Sequence, residues 1–324
     1  MDIAVTMIGV GGPDQLAVVA DEPRTPGPTE VRIRHEAIGV NFIDIYHRRG
    51  LYPLASLPAV LGVEGAGVIE AVGSDVTALR VGQRVAYAGA PVGAYASSRL
   101  LPAVRAINLP DDVPFFDAAS SMIRGITAHM LLTKTFPVGA GTVILVHAAA
   151  GGLGTMLTRW AKALGASVIG TTSTPEKAAF AKRNGVDHVV VGRDADLAQE
   201  VGVLTEGRGV DVAYDGIGGT TLLKTLACVR PFGTVASIGQ AGGPISPISV
   251  EELGPRRSLS LARPSVMAYS ADLTLYKSGA EAALKAVRSG LCATIGRRYP
   301  LAEAARAQSE LEAGATTGSS LLIP

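Results

Sequence analysis

From Val31 to Val40 apolar and polar residues alternate, with Val31, Ile33, His35 and Ala37 on one side and Arg32, Arg34 and Glu36 on the other, the pattern of a half-buried strand. Short apolar runs continue at 60–63, 67–69 and 84–87, punctuated by Gly73, Gly82, Gly89 and Gly93. Closely spaced strands and turns predict a compact, β-rich, barrel-like unit. Around Pro110 the texture changes. Residues 117–134, rich in Ala, Met and Leu, read as a helix, and from Gly141 onward apolar β-branched runs alternate with helical stretches.

The strands of this second region are placed at 142–147, 167–170, 187–191, 210–214, 233–238 and 258–262. A regular strand–helix repeat predicts an α/β fold with a doubly wound parallel sheet. After Arg263-Pro264 the chain is helical again over 272–289, and the tail ends in an apolar strand, 320–323. A nucleotide-type domain is therefore expected between two parts of another: 1–122, then 123–265, then 266–324.

The segment Gly141–Gly154 followed by a helical run to Leu164 is the stretch richest in chemistry. Gly151, Gly152 and Gly154 supply a turn without side-chain obstruction between a buried strand and a helix. Helix N-termini carry free N–H groups and about half a positive charge, so a diphosphate can sit over such a turn without a basic side chain. A second buried strand at 167–170 completes a unit of the kind that binds dinucleotides. At the end of that strand, where a carboxylate usually receives the ribose 2′-hydroxyl of NADH, the chain reads Gly170-Thr-Thr-Ser-Thr-Pro-Glu-Lys177. Thr171, Thr172 and Ser173 can donate to a phosphate. Thr174-Pro175 reads as a helix N-cap with proline behind it, which places Lys177 in the first turn, where the helix dipole disfavours a cation unless an anion faces it. These features favour NADPH over NADH.

Composition narrows the function classes. The chain has 324 residues, 48% hydrophobic and 18% charged, with 39 glycines and a net charge of +1. So even a balance offers no broad electrostatic footprint for nucleic acid or an anionic membrane. Cys228 and Cys292 are far apart, which argues against a disulfide framework and for a reducing, cytoplasmic setting. No basic leader and no uninterrupted apolar span of membrane length is present in the sequence.

The chain resembles the zinc-free quinone oxidoreductases of the medium-chain dehydrogenase/reductase superfamily, in particular bacterial NADPH:quinone reductases related to zeta-crystallin. The resemblance covers nearly the whole length and rests on Gly11-Gly-Pro13, Ala37-Ile-Gly-Val-Asn-Phe-Ile-Asp44 with Tyr46, Gly50-Leu-Tyr-Pro53, Gly93-Ala-Tyr95, His147–Gly154, Trp160–Gly165, Tyr214-Asp215, Arg263-Pro-Ser265 and Gly318–Pro324. It implies a GroES-like β-rich catalytic domain built from both chain ends, a Rossmann domain between, a cleft where they meet, and a homodimer joined through edge strands near Leu259 to Leu261.

By position in those motifs, Asn41, Tyr46 and Tyr52 match the residues that line the nicotinamide and quinone pocket, with Asn41 and Tyr46 also touching cofactor. Thr127 and Met130 fall near the nicotinamide. Gly151, Gly152 and Leu153 match the diphosphate turn, and Ser173, Lys177 and Arg193 the 2′-phosphate end. Ile217, Gly239, Gln240, Arg263 and Ser265 match further cofactor contacts. Two positions depart from the family: Gly192 stands where an aromatic is usual, and Gly314 where a basic residue is usual, with Arg193 able to compensate.

The residues also limit the chemistry. Zinc relatives carry a Gly-His-Glu motif and a cysteine quartet, whereas this chain has Gly62-Val63-Glu64 and two isolated cysteines, too few soft ligands for tetrahedral zinc. Alcohol oxidation without a Lewis acid is disfavoured. A quinone asks for less: hydride enters an aromatising ring, and the oxygen left behind needs only hydrogen bonds or a proton. Asn41 can hold cofactor or an oxygen, and Tyr46 and Tyr52 can stack on a planar ring.

His47, Arg48 and Arg49 read as a solvated basic face, with Asp44 at helical spacing to the first two. His147 reads as a structural histidine, and His35, His129 and His188 pair with no nucleophile in a hydrolase motif. The expected activity is NADPH-dependent, metal-free quinone reduction. Reduction of an activated enal or enone double bond is the alternative within enzymes, and a non-catalytic dinucleotide-binding protein the alternative outside them.

Overall fold

The computed structural model describes residues 2–255 and 257–324, which form two compact units, Met1–Ile126 with Val266–Pro324, and Thr127–Ser265. The first boundary falls inside one continuous helix, Phe115–Met130.

The first unit is strand-rich. One sheet pairs Ile3–Met7 with Leu16–Ala20 and with Ala59–Val60. The larger sheet runs Ile295–Pro300, Ser319–Ile323, Glu30–Val40, Glu64–Val72, Arg84–Ala88, Ile107–Asn108, with Ser98–Pro102 also paired to Glu30–Val40. The expected alternation holds over the first part of Glu30–Val40: Val31, Ile33, His35 and Ala37 are buried, while Glu36 is exposed. A register shift between His35 and Ala37 ends it. Beyond the shift every residue to Val40 is buried, because the C-terminal strand pairs there (Ser320 with Val40, Leu321 with Gly39) and helix Phe115–Met130 covers the other side. The chain's last strand thus flanks the residues that lead into Asn41. Val31, Ile33, Ile38, Leu61, Tyr87, Leu101 and Leu322 fill the core between the layers.

The second unit is a six-stranded parallel sheet. Its strands are Val143–Val146, Ser167–Thr172, His188–Val191, Val210–Asp215, Val229–Ser237 and Ser260–Ala262. Counted within the unit, their spatial order is 3-2-1-4-5-6, the doubly wound order in which ligands bind at the carboxyl ends of the strands where the order reverses. The strand expected at 233–238 starts four residues earlier, at Val229, and shifts register against its neighbour between Val210 and Val212. Leu145, Ile169, Val190, Val201, Ala213 and Leu226 make up its core.

The helix expected over 117–134 is α-helical over Phe115–Met130 and then widens into a π-helical turn, Leu131–Thr135. There Thr133 Oγ1 bonds back to the His129 carbonyl at 2.6 Å, and Phe136 N reaches Leu131 O at 3.2 Å. A threonine hydroxyl competing for an i−4 carbonyl is a local cause of such widening. Asp272 caps helix Leu273–Arg288 by accepting from Thr274 N and Leu275 N.

Candidate active site

In the strand-rich unit Asn41 is the N-cap of a short helix, Phe42–Arg48. Its backbone N–H donates to Asp44 Oδ2 at 2.9 Å, and its carbonyl accepts from Asp44 N at 3.1 Å. Its side-chain nitrogen donates to Glu64 Oε2 at 2.9 Å. Tyr46 lies in the helix, and the turn after it folds back so that Leu51 N and Tyr52 N both bond to Tyr46 O, at 2.9 and 3.2 Å. The Tyr46 and Tyr52 rings meet edge to face, centroids 5.4 Å apart. The structure therefore brings Tyr46 and Tyr52 together, with Asn41 at the head of the same helix. Tyr52 is 38% exposed, so its ring is open to a ligand.

The solvated basic face expected at 47–49 is not there. Arg48 is fully buried and His47 nearly so; of the three only Arg49 is exposed. Arg48 donates to Gly11 O at 3.1 Å, Gln308 Oε1 at 2.8 Å and Glu312 Oε2 at 2.6 Å. Asp44 pairs with neither His47 nor Arg48; it is buried and accepts from Asn41 N and from Tyr95 Oη at 2.9 Å. Helix Phe42–Arg48 is covered on the side that carries these groups, so helical spacing alone misplaced them. His47 Nδ1 sits 2.8 Å from Tyr52 O. A carbonyl only accepts, so Nδ1 carries the hydrogen and the imidazole holds the Tyr52 turn in place. Burial lowers the His47 pKa, partly offset by that bond.

Glu64 occupies the place considered above for a metal motif, and its partners are cationic and amide groups. It is fully buried, accepting from Ile123 N at 2.7 Å, Arg124 Nη1 at 3.0 Å and Asn41 Nδ2. Burial pushes its carboxyl above the usual range, and Arg124 and the hydrogen bonds oppose that shift. Among the described residues no group of three or more His, Cys, Asp or Glu side chains is arranged to hold a metal ion. Arg124, which holds Glu64 here, carries no signal in the sequence: its partner lies 60 positions away, and no local pattern marks it.

In the parallel-sheet unit strand Val143–Val146 leads through Ala148, held at φ 49°, into helix Gly152–Ala163, whose N-cap is Gly151. No side chain caps that helix. Its first N–H groups, those of Gly152 and Leu153 among them, are thereby left for an external acceptor, the fit a diphosphate requires. Gly154 is fixed by packing: a Cβ there would lie 2.5 Å from Ala148 O and 2.7 Å from Ala149 Cα.

His147, just before the turn, joins the end of strand Val143–Val146 to strand Ser167–Thr172 and to helix Thr221–Ala227. Nε2 lies 2.8 Å from Thr225 Oγ1, which donates to Asp215 Oδ2 at 2.9 Å; Nδ1 lies 3.0 Å from Thr171 Oγ1. Thr225 has one hydroxyl hydrogen, and the buried carboxylate is a stronger acceptor than the Thr221 carbonyl also within reach. His147 therefore donates from Nε2 and accepts at Nδ1, its burial lowering the pKa and keeping it neutral. It follows that Thr171 spends its hydroxyl hydrogen on His147, and Thr172 turns its own to Thr174 O at 3.3 Å. Both threonine hydroxyls expected to serve a phosphate are thus engaged within the protein.

Thr174 caps helix Pro175–Arg183 as expected, accepting from Lys177 N at 3.3 Å. Burial and the charge of Arg193 both lower the Lys177 pKa, so two cations are held close beside this strand end, as a dianionic phosphate would need. Gly192 has φ 105°, a conformation that L side chains rarely adopt, so any other residue at this turn would be strained. Gly314 follows the C-cap of helix Ala304–Glu312 at φ 66°, the helix-ending role of glycine. Ile217 N and Gly218 N both donate to Asp215 Oδ1, at 2.8 and 2.9 Å. Gly242 N reaches Ile217 O at 2.7 Å, so the 215–219 and 239–243 loops lie together. Arg263 Nη1 donates to Ser237 Oγ at 2.7 Å and reaches Gly239 O at 3.4 Å. Thus Ile217, Gly239, Gln240 and Arg263 gather at the carboxyl ends of the central strands. Met130 is buried at the end of its helix, three residues and so about one turn past the partly buried Thr127.

A strand-rich unit made from both chain ends and an inserted 3-2-1-4-5-6 sheet with an uncapped glycine turn define a medium-chain dehydrogenase/reductase. Residues 27–111 match the alcohol dehydrogenase GroES-like domain and residues 152–276 the zinc-binding dehydrogenase domain. The chain is 43% identical to a quinone oxidoreductase of Pseudomonas aeruginosa over 97% of each chain. It is 42% identical to a 2-haloacrylate reductase of a Burkholderia species, covering 100% of this chain and 99% of the relative. The crystal structure of Escherichia coli quinone oxidoreductase complexed with NADPH superposes with a TM-score of 0.95 at 38% identity, covering 99% of this chain and 100% of that one. The chain belongs to the quinone oxidoreductase family of that superfamily.

Proposed function

We propose that the protein is an NADPH:quinone oxidoreductase that works without a metal. The observation that carries the reading is the fate of Glu64: its carboxylate is taken up by Arg124, Asn41 and the Ile123 N–H, and among the described residues no group of three or more His, Cys, Asp or Glu side chains is arranged to hold a cation. When bound, NADPH supplies the hydride. The chain's own groups then do the rest: the 151–154 turn seats the diphosphate, Ser173, Lys177 and Arg193 hold the 2′-phosphate, and Thr127, Met130, Ile217, Gly239, Gln240, Arg263 and Ser265 complete the cofactor site. Asn41, Tyr46 and Tyr52 orient the nicotinamide and the quinone ring and exclude water from them.

The likeness to a 2-haloacrylate reductase supports a second substrate class, an activated carbon–carbon double bond conjugated to a carbonyl, because the same hydride geometry serves both. Steady-state oxidation of NADPH with 1,4-benzoquinone against a 2-alkenal and 2-chloroacrylate separates the two. Faster turnover on the quinone is expected; turnover confined to the alkenes would overturn the quinone reading.

The protein forms a homodimer in this reading through strand Ser260–Ala262, which among the described residues pairs on one side only and presents Leu261, 36% exposed. Light scattering of wild type and Leu261→Lys tests it: a dimer that becomes monomeric is expected, and a wild-type monomer would contradict it. Neither Cys228 nor Cys292 is in a disulfide, which fits a reducing cytoplasm.

A further inference from the structure

We propose that Glu64 and Arg124 are positioning residues for Asn41, fixing which way round its amide faces the reacting partners. The proposal rests on the reading of Asn41 given above and concerns what holds that residue.

An asparagine amide turned through 180° exchanges a donor for an acceptor. In this chain the choice is made by Glu64. An ionised carboxylate only accepts, so the Asn41 nitrogen faces Glu64 Oε2, 2.9 Å away, and the oxygen is turned from it. That holds only while Glu64 is charged and still, and Arg124 secures both conditions. Its Nη1 lies 3.0 Å from the same Oε2, and Nη2 donates to Val40 O at 2.8 Å, the carbonyl immediately before Asn41. One guanidinium therefore grips both the side chain that Asn41 leans on and the backbone from which Asn41 springs. Nη1 is further anchored on Ser120 O at 3.0 Å, and Ile123 N fixes the other carboxylate oxygen at 2.7 Å.

The backbone around this group is shaped to admit it. A Cβ on Gly39 would collide with Glu64 Oε2 and lie 2.5 Å from Ala119 O, so glycine there makes the room that the carboxylate occupies. Glu64 and Arg124 are 0% and 8% exposed, too deep to touch a ligand broadly themselves. A buried ion pair contributes little net stability compared with apolar packing, so orienting a polar side chain is what this arrangement adds.

The test is a double-mutant cycle of Glu64→Gln and Asn41→Ala, with turnover of 1,4-benzoquinone, NADPH affinity by nicotinamide fluorescence and Tm measured on each holoenzyme. A glutamine can turn either amide atom to Asn41 and no longer dictates the choice. Misplacement on this scale lowers kcat/KM about 10²-fold. In the Asn41→Ala background the same change is expected to alter kcat/KM by no more than about twofold, the scatter of independent sites, although Tm falls equally in both backgrounds. Arg124→Lys keeps the charge but loses the fork that reaches Glu64 and Val40 O together, and provides the same comparison if Glu64→Gln does not fold. Equal fold-losses with and without Asn41 would overturn the proposal and leave the role of Asn41 standing. An Asn41→Ala enzyme with unchanged turnover and cofactor affinity would overturn both.

Discussion

Arg48 Nη2 lies 2.6 Å from Glu312 Oε2, joining two helices whose contact spans 264 positions of sequence. The arginine is fully buried and the glutamate side chain 18% exposed, so the pair fixes the helix that carries Tyr46 against the chain's last helix. Removing one member of a buried pair strands the other and costs roughly 3–5 kcal/mol. Arg48→Met is accordingly expected to lose at least about 3 kcal/mol in urea unfolding, and Glu312→Gln less, because Gln308 still receives the guanidinium. Losses under about 1 kcal/mol, the worth of an exposed pair, would show that the contact does not hold the helix.

Asp44 and His35 act on acid stability with opposite signs. Burial raises the Asp44 carboxyl to about 7, so the folded state holds a proton that the unfolded state has lost; this stabilisation is full at low pH and disappears as pH rises to about 7. Burial lowers His35 to about 3, so the unfolded state takes up a proton first and stability falls as pH drops below its ordinary value. Between pH 4.5 and 6 the Asp44→Asn variant is expected to gain stability with pH more steeply than wild type, by about 1.4 kcal/mol per pH unit. Parallel urea-midpoint profiles would refute the raised carboxyl.

Lys177→Glu replaces one of the two cations beside the second strand by an anion. A charge-assisted hydrogen bond is worth about 1.5–3 kcal/mol, so NADPH affinity is expected to fall by at least about tenfold while NADH affinity changes little. Fluorescence titration with each cofactor checks this, and equal losses for both would remove Lys177 from the 2′-phosphate site.

Gly154→Ala puts a methyl group against Ala148 O and Ala149 Cα, neither of which can yield. Overpacking of this kind costs about 1–3 kcal/mol, and because the displaced atoms form the diphosphate turn, cofactor affinity is expected to fall with Tm. A variant with unchanged affinity would separate this turn from the cofactor.

The fold was legible because periodicity is local. The alternation at 31–37, the buried runs from 142 onward and the Thr174-Pro175 cap each follow from neighbouring residues, and the structure places those elements within a few positions. What escaped is non-local. Arg48 looks like a surface arginine until the chain brings Glu312 to it, and nothing marks Arg124 until Glu64 reaches it. The hydroxyls of Thr171 and Thr172 look like phosphate donors until His147 and Thr174 O claim them. The register shift in Glu30–Val40 and the π-turn at Leu131–Thr135 depend on contacts that no hydrophobic pattern records.

Metal-free hydride transfer from NADPH to a quinone is tested most directly by the kcat/KM for 1,4-benzoquinone after exhaustive chelation and dialysis, with NADPH and NADH side by side. Full activity in the chelated enzyme with NADPH, and at least about tenfold less with NADH for a lost phosphate contact, is the predicted result. Activity lost on chelation and restored by zinc, or no oxidation of NADPH by any quinone, would contradict it.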